Sequence, residues 1–172
     1  MSTLNVTNIK AADGTSALTI ANSTGAVTQT VPPSITTPII FQGYNSSTTY
    51  SSAGTWVAQQ ETIDTANAYN NSTGVFTCPR AGYYQMAWHA LHRGNGGSFV
   101  RMNFHKNGSV YGNNQASLYA DGETGDENNI GFSMIIECAA GDTLAVVITD
   151  INGGDIYGAS NSHNGLSIHF IG

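Results

Sequence analysis

Charged side chains are scarce in this chain of 172 residues. Five Lys and Arg and eleven Asp and Glu make up 9% of the sequence and leave a formal net charge of −6, where soluble domains usually carry about 25% charged residues. Nucleic-acid binding draws on the release of counterions by many cations, and this chain has few. We therefore expect no nucleic-acid partner and a surface made of Asn, Ser, Thr and Gly.

Long apolar runs are also missing. The longest, such as TLAVVI at 143–148, are far shorter than the roughly 20 residues that cross a bilayer. The first ten residues, MSTLNVTNIK, lack the apolar centre of an export signal. The sequence thus predicts no membrane association and synthesis in a cytoplasm without classical export.

Only two cysteines are present, Cys78 and Cys138. No CxxC or Cys/His spacing suggests a zinc site. Each cysteine lies beside a predicted strand, so either a disulfide or two buried thiols would fit. The missing export signal favours buried thiols.

The pattern that is present is strict alternation of apolar and polar residues. In YYQMAWHALH, Tyr84, Met86, Trp88 and Ala90 share one face, as a strand requires. The same alternation recurs in four further stretches, VRMNFH, GFSMIIEC, TLAVVIT and LSIHFI. The Asn-Gly pair at 107–108 is typical of a tight hairpin. The glycine-rich stretches GNGGS (94–98) and DINGGD (150–155) are predicted to be hairpin loops. The fold class is therefore all-β, built of many short antiparallel strands.

The first residues are predicted to form a separate unit. Short strands with Asp-Gly and Thr-Gly turns end at two prolines, which cannot continue a strand ladder. We expect an N-terminal β arm at 1–31, a Pro-containing linker at 32–36 and a head domain at 37–172. Such an arm has too few large aliphatic residues to bury a core alone. Its docking residues are predicted to be Leu4, Val6, Ile9, Leu18 and Ile20.

The central stretch AYNNSTGVFTCPRAGYYQMAWHA resembles the signature of the complement C1q-like globular head. The resemblance continues in order through the Lys-Asn-Gly hairpin, the Gly-Asp step of CAAGDTLAVVI and the last strand, and it covers about 35–172. The family's collagen stalk has no counterpart in this chain, because no Gly-X-Y repeat occurs. The matching signature residues are Tyr69, Asn70, Thr73, Gly74, Phe76, Cys78, Pro79, Gly82, Tyr83 and Tyr84.

The C1q resemblance implies a ten-stranded antiparallel jelly roll of the tumour necrosis factor kind that assembles as a homotrimer. In such a fold the signature stretch is scaffold and needs no catalytic role. The residues assigned on this basis to the core and the trimer are Tyr69, Phe76, Cys78, Pro79, Gly82, Tyr84, Trp88, Phe104 and Phe170.

The arm carries a second resemblance. MSTLNVTNIKAADGTSALTIANSTGAVT is similar to short N-terminal segments on virion structural proteins of tailed bacteriophages. This resemblance implies a virion protein made in the host bacterial cytoplasm, whose arm binds another capsid, tail or fibre protein.

Residues that could carry chemistry give weak patterns. The histidines, at 89, 92, 105, 163 and 169, show no metal-binding spacing and are interpreted as strand-face or loop residues. No nucleophile elbow or paired carboxylates appear, so we predict no enzyme activity and no cofactor. Calcium remains an alternative to a solvated loop, with candidate ligands Asp121, Glu123, Asp126 and Glu127.

Aromatic residues outside the signature are open to two interpretations. They would stack on sugar rings or line subunit contacts, which enrich the same residue types, and for each of them the core or an interface is favoured. These residues are Tyr44, Tyr50, Trp56, Tyr119 and Tyr157. The sequence as a whole predicts a trimeric head on a phage tail fibre or appendage that contacts a host-surface glycan or protein. The alternative is a capsid decoration protein at threefold positions.

Overall fold

The computed structural model describes residues 8–10, 16–20, 27–29, 38–119, 126–158 and 163–172. The chain divides into two compact units, Met1–Thr37 and Pro38–Gly172. The described strands of the first unit are β1 (Asn8–Lys10), β2 (Ser16–Ile20) and β3 (Val27–Gln29), which form an antiparallel sheet with β2 in the middle. Its register pairs Ile9 with Leu18 and Ile20 with Val27.

The described residues of the second unit form eleven antiparallel strands and no helix. No helix within the described ranges is therefore long and apolar enough to span a membrane. The strands are β4 (Ile40–Tyr44), β5 (Gly54–Trp56), β6 (Gln60–Asp64), β7 (Tyr69–Asn70), β8 (Val75–Thr77), β9 (Gly82–Lys106), β10 (Ser109–Val110), β11 (Ala116–Tyr119), β12 (Asp126–Cys138), β13 (Thr143–Ile156) and β14 (Asn164–Phe170). The all-β prediction is confirmed.

Two sheets share the long strand β9. Its first half, 82–94, pairs with β12 on one side and with β14 on the other, and β4 and β6 follow β14. We call this the front sheet. The second half, 99–106, pairs with β10 and β11 on one side and β13 on the other, and β13 pairs in turn with β5 and β8. This second group, completed by β7, is the back sheet.

The glycine-rich stretches 94–98 and 150–155 are not hairpin loops, as the sequence predicts, but lie within β9 and β13: Gly94 pairs with Gly154 and Phe99 with Asn152, and the register shifts between these two pairs. The two strands pass together from one sheet to the other, with bulges in β13. Glycine is needed because the backbones approach closely: a Cβ on Gly154 would lie 2.5 Å from the carbonyl oxygen of Arg93. Because glycine allows the two backbones to come this close, the chain continues from one sheet to the other as paired strands instead of forming the expected hairpin turns.

The core lies between the two sheets and follows the alternation of the sequence. Tyr84, Met86 and Trp88 of the front sheet face Met102 and Phe104 of the back sheet, and all are at most 2% exposed. Each such side chain contributes about 1.5–3 kcal/mol by its burial. Aromatic rings meet edge-on or stacked, as Phe104 and Phe132 do at 4.0 Å, so much of the core is aromatic.

Trp56 belongs to this core. The residue is fully buried and its ring meets Trp88 edge-on at 6.0 Å, so of the interpretations left open for the aromatic residues, Trp56 takes the core and does not stack on sugar. The physical reason is pairing: Trp56 lies opposite Val146 of β13, a partner ninety residues later that local alternation cannot reveal.

Candidate functional site

The signature residues lie in and around the core. Tyr69 stacks on Phe41 at 4.0 Å, and its hydroxyl accepts a hydrogen bond from the Ala58 amide at 2.7 Å. Burial raises the pKa of Tyr69, which keeps this hydroxyl protonated. Phe76, Cys78, Tyr84, Trp88 and Phe104 are buried, Phe170 and Gly82 are half-buried, and Pro79 is exposed.

The corner after Cys78 requires its glycine. Gly82 has a φ of 141°, and a Cβ there would lie 2.4 Å from the carbonyl oxygen of Gly172. The Tyr84 hydroxyl donates to the Arg80 carbonyl at 2.8 Å across the same corner. These contacts explain the signature as scaffold; its predicted part in trimer contacts stays a prediction.

The outward side of the front sheet is a broad surface without charge at its centre. We call it the front face and define it by Ile40, Gln42, Tyr44, Tyr83, Gln85, Ala87, His89, Gly131, Ser133, Ile135, Gly165, Ser167 and His169. Burial alternates along these strands, so these residues point away from the core. Glu127 and Glu137, near the two ends of β12, bring carboxylates to its margin.

The middle of the front face is a groove of about 500 Å³. Small residues form its floor, because Ser167 lies opposite Ala87 and Gly165 lies opposite His89. Its other contributors include Gln42 and Tyr44. The groove is therefore shallow, wide and neutral, a shape that suits another protein surface more than a small charged ligand.

The end of the front face near the C terminus is apolar. Tyr83 is 49% exposed, Ile135 is 56% exposed and Ile171, beside this face, is 51% exposed. The Ile171 amide donates to the Tyr83 carbonyl at 2.9 Å, so Ile171 extends the patch from Tyr83. Glu137 lies opposite Tyr83 at this end. Large apolar side chains grouped on a surface with few charges are typical of protein contact surfaces.

The opposite end of the same sheet carries an ion pair that the sequence did not single out. Arg93 donates from Nε and Nη2 to the two carboxylate oxygens of Asp155, each at 3.0 Å. Its guanidinium also stacks on the ring of Tyr157 at 3.9 Å. The hydrogen bond to Asp155, with charge from Asp155 and Glu127, raises the pKa of Arg93. Arg93 and Asp155 lie opposite each other on β9 and β13, and this pairing is visible in the folded structure but not in the sequence.

These residues border a second cavity of about 440 Å³. We call it the arginine pocket; it is lined by Arg93, Gly94, Asn95, Glu127, Gly153, Gly154 and Asp155. Its wall offers a planar cation, two carboxylates and exposed glycine backbone. Such a set can bind hydroxyl and amide groups of a polar ligand.

A second exposed arginine lies on the back sheet. Arg101 donates to Asp150 at 3.0 Å and to the Tyr119 hydroxyl at 2.7 Å, and its guanidinium lies 4.8 Å from the Phe99 ring centre. Tyr119 is 57% exposed. Of the predicted aromatic surface residues, Tyr119 is thus the most accessible, whereas Tyr44, Tyr50 and Tyr157 are half-buried.

His92 departs from the prediction that the histidines are strand-face or loop residues. It is fully buried at the crossing of β9 and β13 and its ring nitrogens have no hydrogen-bond partner in the described structure. Ser98, 2% exposed, is its neighbour around Gly94. Burial lowers the pKa of His92, with the charge of Asp155 opposing. The imidazole is therefore neutral at pH 7.

The calcium candidates fall largely outside the described residues. Asp121 and Glu123 lie there, only the backbone of Asp126 is described, and Glu127 is exposed beside the arginine pocket. Within the described ranges no three His, Cys, Asp or Glu side chains come together in a way that would hold a metal ion. Leu4 and Val6 of the arm also lie outside them, and Ile9, Leu18 and Ile20 are described by backbone only.

Comparison with known families decides the identity of the head. Residues 41–170 match the model of the C1q domain. The chain belongs to the C1q domain family. Domains of this family are typically non-enzymatic structural or ligand-binding modules and are often trimeric.

Solved structures place this C1q domain among jelly rolls of the same kind. The globular domain of zebrafish complement 1qA is 10% identical, with a TM-score of 0.57 over 77% of this chain and 95% of that one. The Eiger tumour necrosis factor of S. frugiperda is 12% identical (TM-score 0.61; 78% and 93% covered), and murine APRIL is 11% identical (TM-score 0.58; 77% and 98% covered). The jelly-roll prediction is thereby confirmed; the described part of the head has eleven strands, of which β9, β12 and β13 are long, where about ten were expected.

Proposed function

We propose that this chain is a structural protein of a bacteriophage particle. Its C1q head forms a homotrimer displayed on the virion, as part of a tail fibre or similar appendage, and contacts a glycan or protein of the host surface. The arm at 1–31 fastens the trimer to another virion protein. The protein works without catalysis.

The observation that carries the trimer is the front face. Its centre lacks charge, its groove is floored by glycine, alanine and serine, and one end exposes Tyr83, Ile135 and Ile171. A five-stranded sheet with such a surface loses little by desolvation when a second copy covers it. Three copies that each present one face and one edge close into a ring.

The arm supports the attachment to a virion. In the described residues of the arm, β1 and β3 are the outer strands of a three-stranded sheet and each pairs with β2 alone. Unpaired edges accept strands of another protein by main-chain hydrogen bonds. Together with the resemblance of its sequence to virion arms, this supports a role as an anchor.

The arginine pocket and Tyr119 support ligand binding. Exposed aromatic rings stack on sugars, and paired arginine and carboxylate groups hydrogen-bond to their hydroxyls. Three copies of a weak site on one trimer would act together, which raises the overall affinity without new contacts.

Light scattering of the full chain tests the trimer. We expect three times the chain mass of 18.0 kDa at micromolar concentration. Ile135→Lys puts a charge on the front face and is expected to lower the mass toward one chain. Val110→Lys is the matched control, because Val110 is 47% exposed on β10 of the back sheet; it should stay trimeric. A monomeric wild-type chain would disprove the assembly.

A capsid decoration protein is the second candidate, favoured by the neutral head and the threefold assembly alone. Quantitative mass spectrometry of purified particles separates the two, because an appendage is present in a few dozen copies or fewer and a decoration protein in hundreds. Absence of the chain from the particles would reject both.

A further inference from the structure

Cys78 and Cys138 meet in the core although they belong to different sheets. Cys78 directly follows β8 of the back sheet, and Cys138 is the last residue of β12 in the front sheet. They are 1% and 4% exposed, and both are free thiols. The two side chains interact with each other.

Backbone hydrogen bonds hold the segments that carry the two cysteines close together. The Cys78 amide donates to the Asp142 carbonyl at 2.8 Å, and the Gly141 amide donates to the Cys78 carbonyl at 2.8 Å. The turn that begins at Ala139 is closed by the Asp142 amide bound to the Ala139 carbonyl at 3.2 Å. Cys78 is thus bound to one end of a short turn whose other end directly follows Cys138.

We propose that Cys78 and Cys138 form an intrachain disulfide that joins the front sheet to the back sheet when the protein meets a peroxide. Disulfides join residues whose backbones lie close together, with Cα atoms about 4.4–6.8 Å apart, and Cys78 is hydrogen-bonded to the turn that directly follows Cys138. Closing this long loop restricts the unfolded chain and leaves the folded sandwich nearly unchanged.

The chemistry needs hydrogen peroxide as the oxidant. The thiolate of Cys138, beside the exposed turn, attacks one peroxide oxygen; the O–O bond breaks, hydroxide leaves and a sulfenic acid forms. The Cys78 sulfur then attacks the Cys138 sulfur, the S–O bond breaks, and water leaves with the Cys78 proton. Two thiols lose two electrons, and one peroxide is reduced to two molecules of water.

The burial of the two thiols also determines when the disulfide forms. Burial raises the pKa of both thiols, so little thiolate exists at neutral pH and the closed head reacts slowly. Cys138 directly precedes the turn at 139–142, of which 139–141 are exposed, so opening of this turn gives peroxide access to Cys138. The pair therefore stays reduced during synthesis in a reducing cytoplasm and is oxidised after release.

The test uses the purified full chain, reduced and then treated with hydrogen peroxide at pH 8. We expect the intact mass to fall by about 2 Da and a digest without reductant to contain one peptide pair joined through residues 78 and 138. The midpoint of thermal unfolding should rise by about 5–15 °C and return when reductant is added.

Cys78→Ala and Cys138→Ala are the matched controls, and neither should lose 2 Da or gain thermal stability with peroxide. The wild-type mass and digest answer the question even where a variant fails to fold. Gain of oxygen on the wild-type thiols without a cross-link, a bond between two chains through these cysteines, or an oxidised chain that melts at or below the reduced one would each overturn the proposal.

Discussion

The imidazole of His89 lies directly over Gly165 on the front face. A Cβ at Gly165 would come within 2.7 Å of Cε1 of His89, and on the other side of His89 the paired residue is Gly131. His89 is thus a single ring between two glycines. The low floor of the groove depends on these missing side chains.

Gly165→Ala is expected to affect assembly more than folding. The His89 ring is exposed and can turn away, so the free energy of unfolding should change by less than about 1 kcal/mol, while the trimer fraction falls because the groove is filled. Urea unfolding and light scattering measure the two effects. Gly158→Ala is the contrast: its Cβ would lie 1.7 Å from the Thr48 carbonyl oxygen, and we expect a loss above about 2 kcal/mol. Full trimerisation of Gly165→Ala would move the interface away from His89.

His92 should make stability fall at mildly acidic pH. Its pKa is lowered in the folded head, so the unfolded chain, with a pKa of about 6.5, binds the proton more readily. The contribution is complete above about pH 6.5 and is lost as the pH falls below it. The facing charges are Asp155, which favours the charged ring, and Arg93 and Glu127 around it.

Chemical unfolding between pH 7.5 and 5 checks this. His92→Leu is expected to flatten the pH dependence. His89→Gln serves as the control. Burial also lowers the pKa of the more accessible His89, so the contribution of His89 to the pH dependence of stability must be separated from that of His92. An unchanged slope in His92→Leu would mean that the buried imidazole is protonated or hydrated.

Asp142 should dominate a second, more acidic transition. Hydrogen bonds from Asn107, Lys106 and the Ala139 amide lower its pKa to about 2. Its stabilising effect is present above the ordinary carboxyl value near 4 and is lost as the pH falls toward 2. Thermal unfolding from pH 5 to pH 2 should show this loss, and Asp142→Asn should remove much of it.

The Arg93–Asp155 pair should show measurable coupling. Both side chains are partly exposed, 35% and 25%, so a double-mutant cycle with Arg93→Ala and Asp155→Ala is expected to give about 0.5–1 kcal/mol, less at high salt. Arg93→Lys should not restore it, because Lys lacks the two parallel hydrogen bonds and the stacking on Tyr157. If the effects of the two single substitutions on the free energy of unfolding simply add, the ion pair is positioned by its strands and does not itself stabilise the fold.

The sequence predicted the fold better than it predicted the candidate binding surfaces. The alternation in β9 indicated which residues are buried, and the Asn-Gly hairpin has the expected positive φ values, 51° at Asn107 and 78° at Gly108. The Arg93–Asp155 pair joins residues 62 positions apart, and no local pattern links them. The arginine pocket therefore had no signal of its own.

The sequence by itself determined the all-β class, the inward face of each long strand and the low charge of the surface, because these follow from a two-residue period and from composition. Tertiary structure decided the rest. It made the glycine runs into strand crossings, buried Trp56 and His92, and brought Cys78 beside Cys138. The physical reason is that strand pairing acts between distant segments, and only the paired backbones fix which side chains meet.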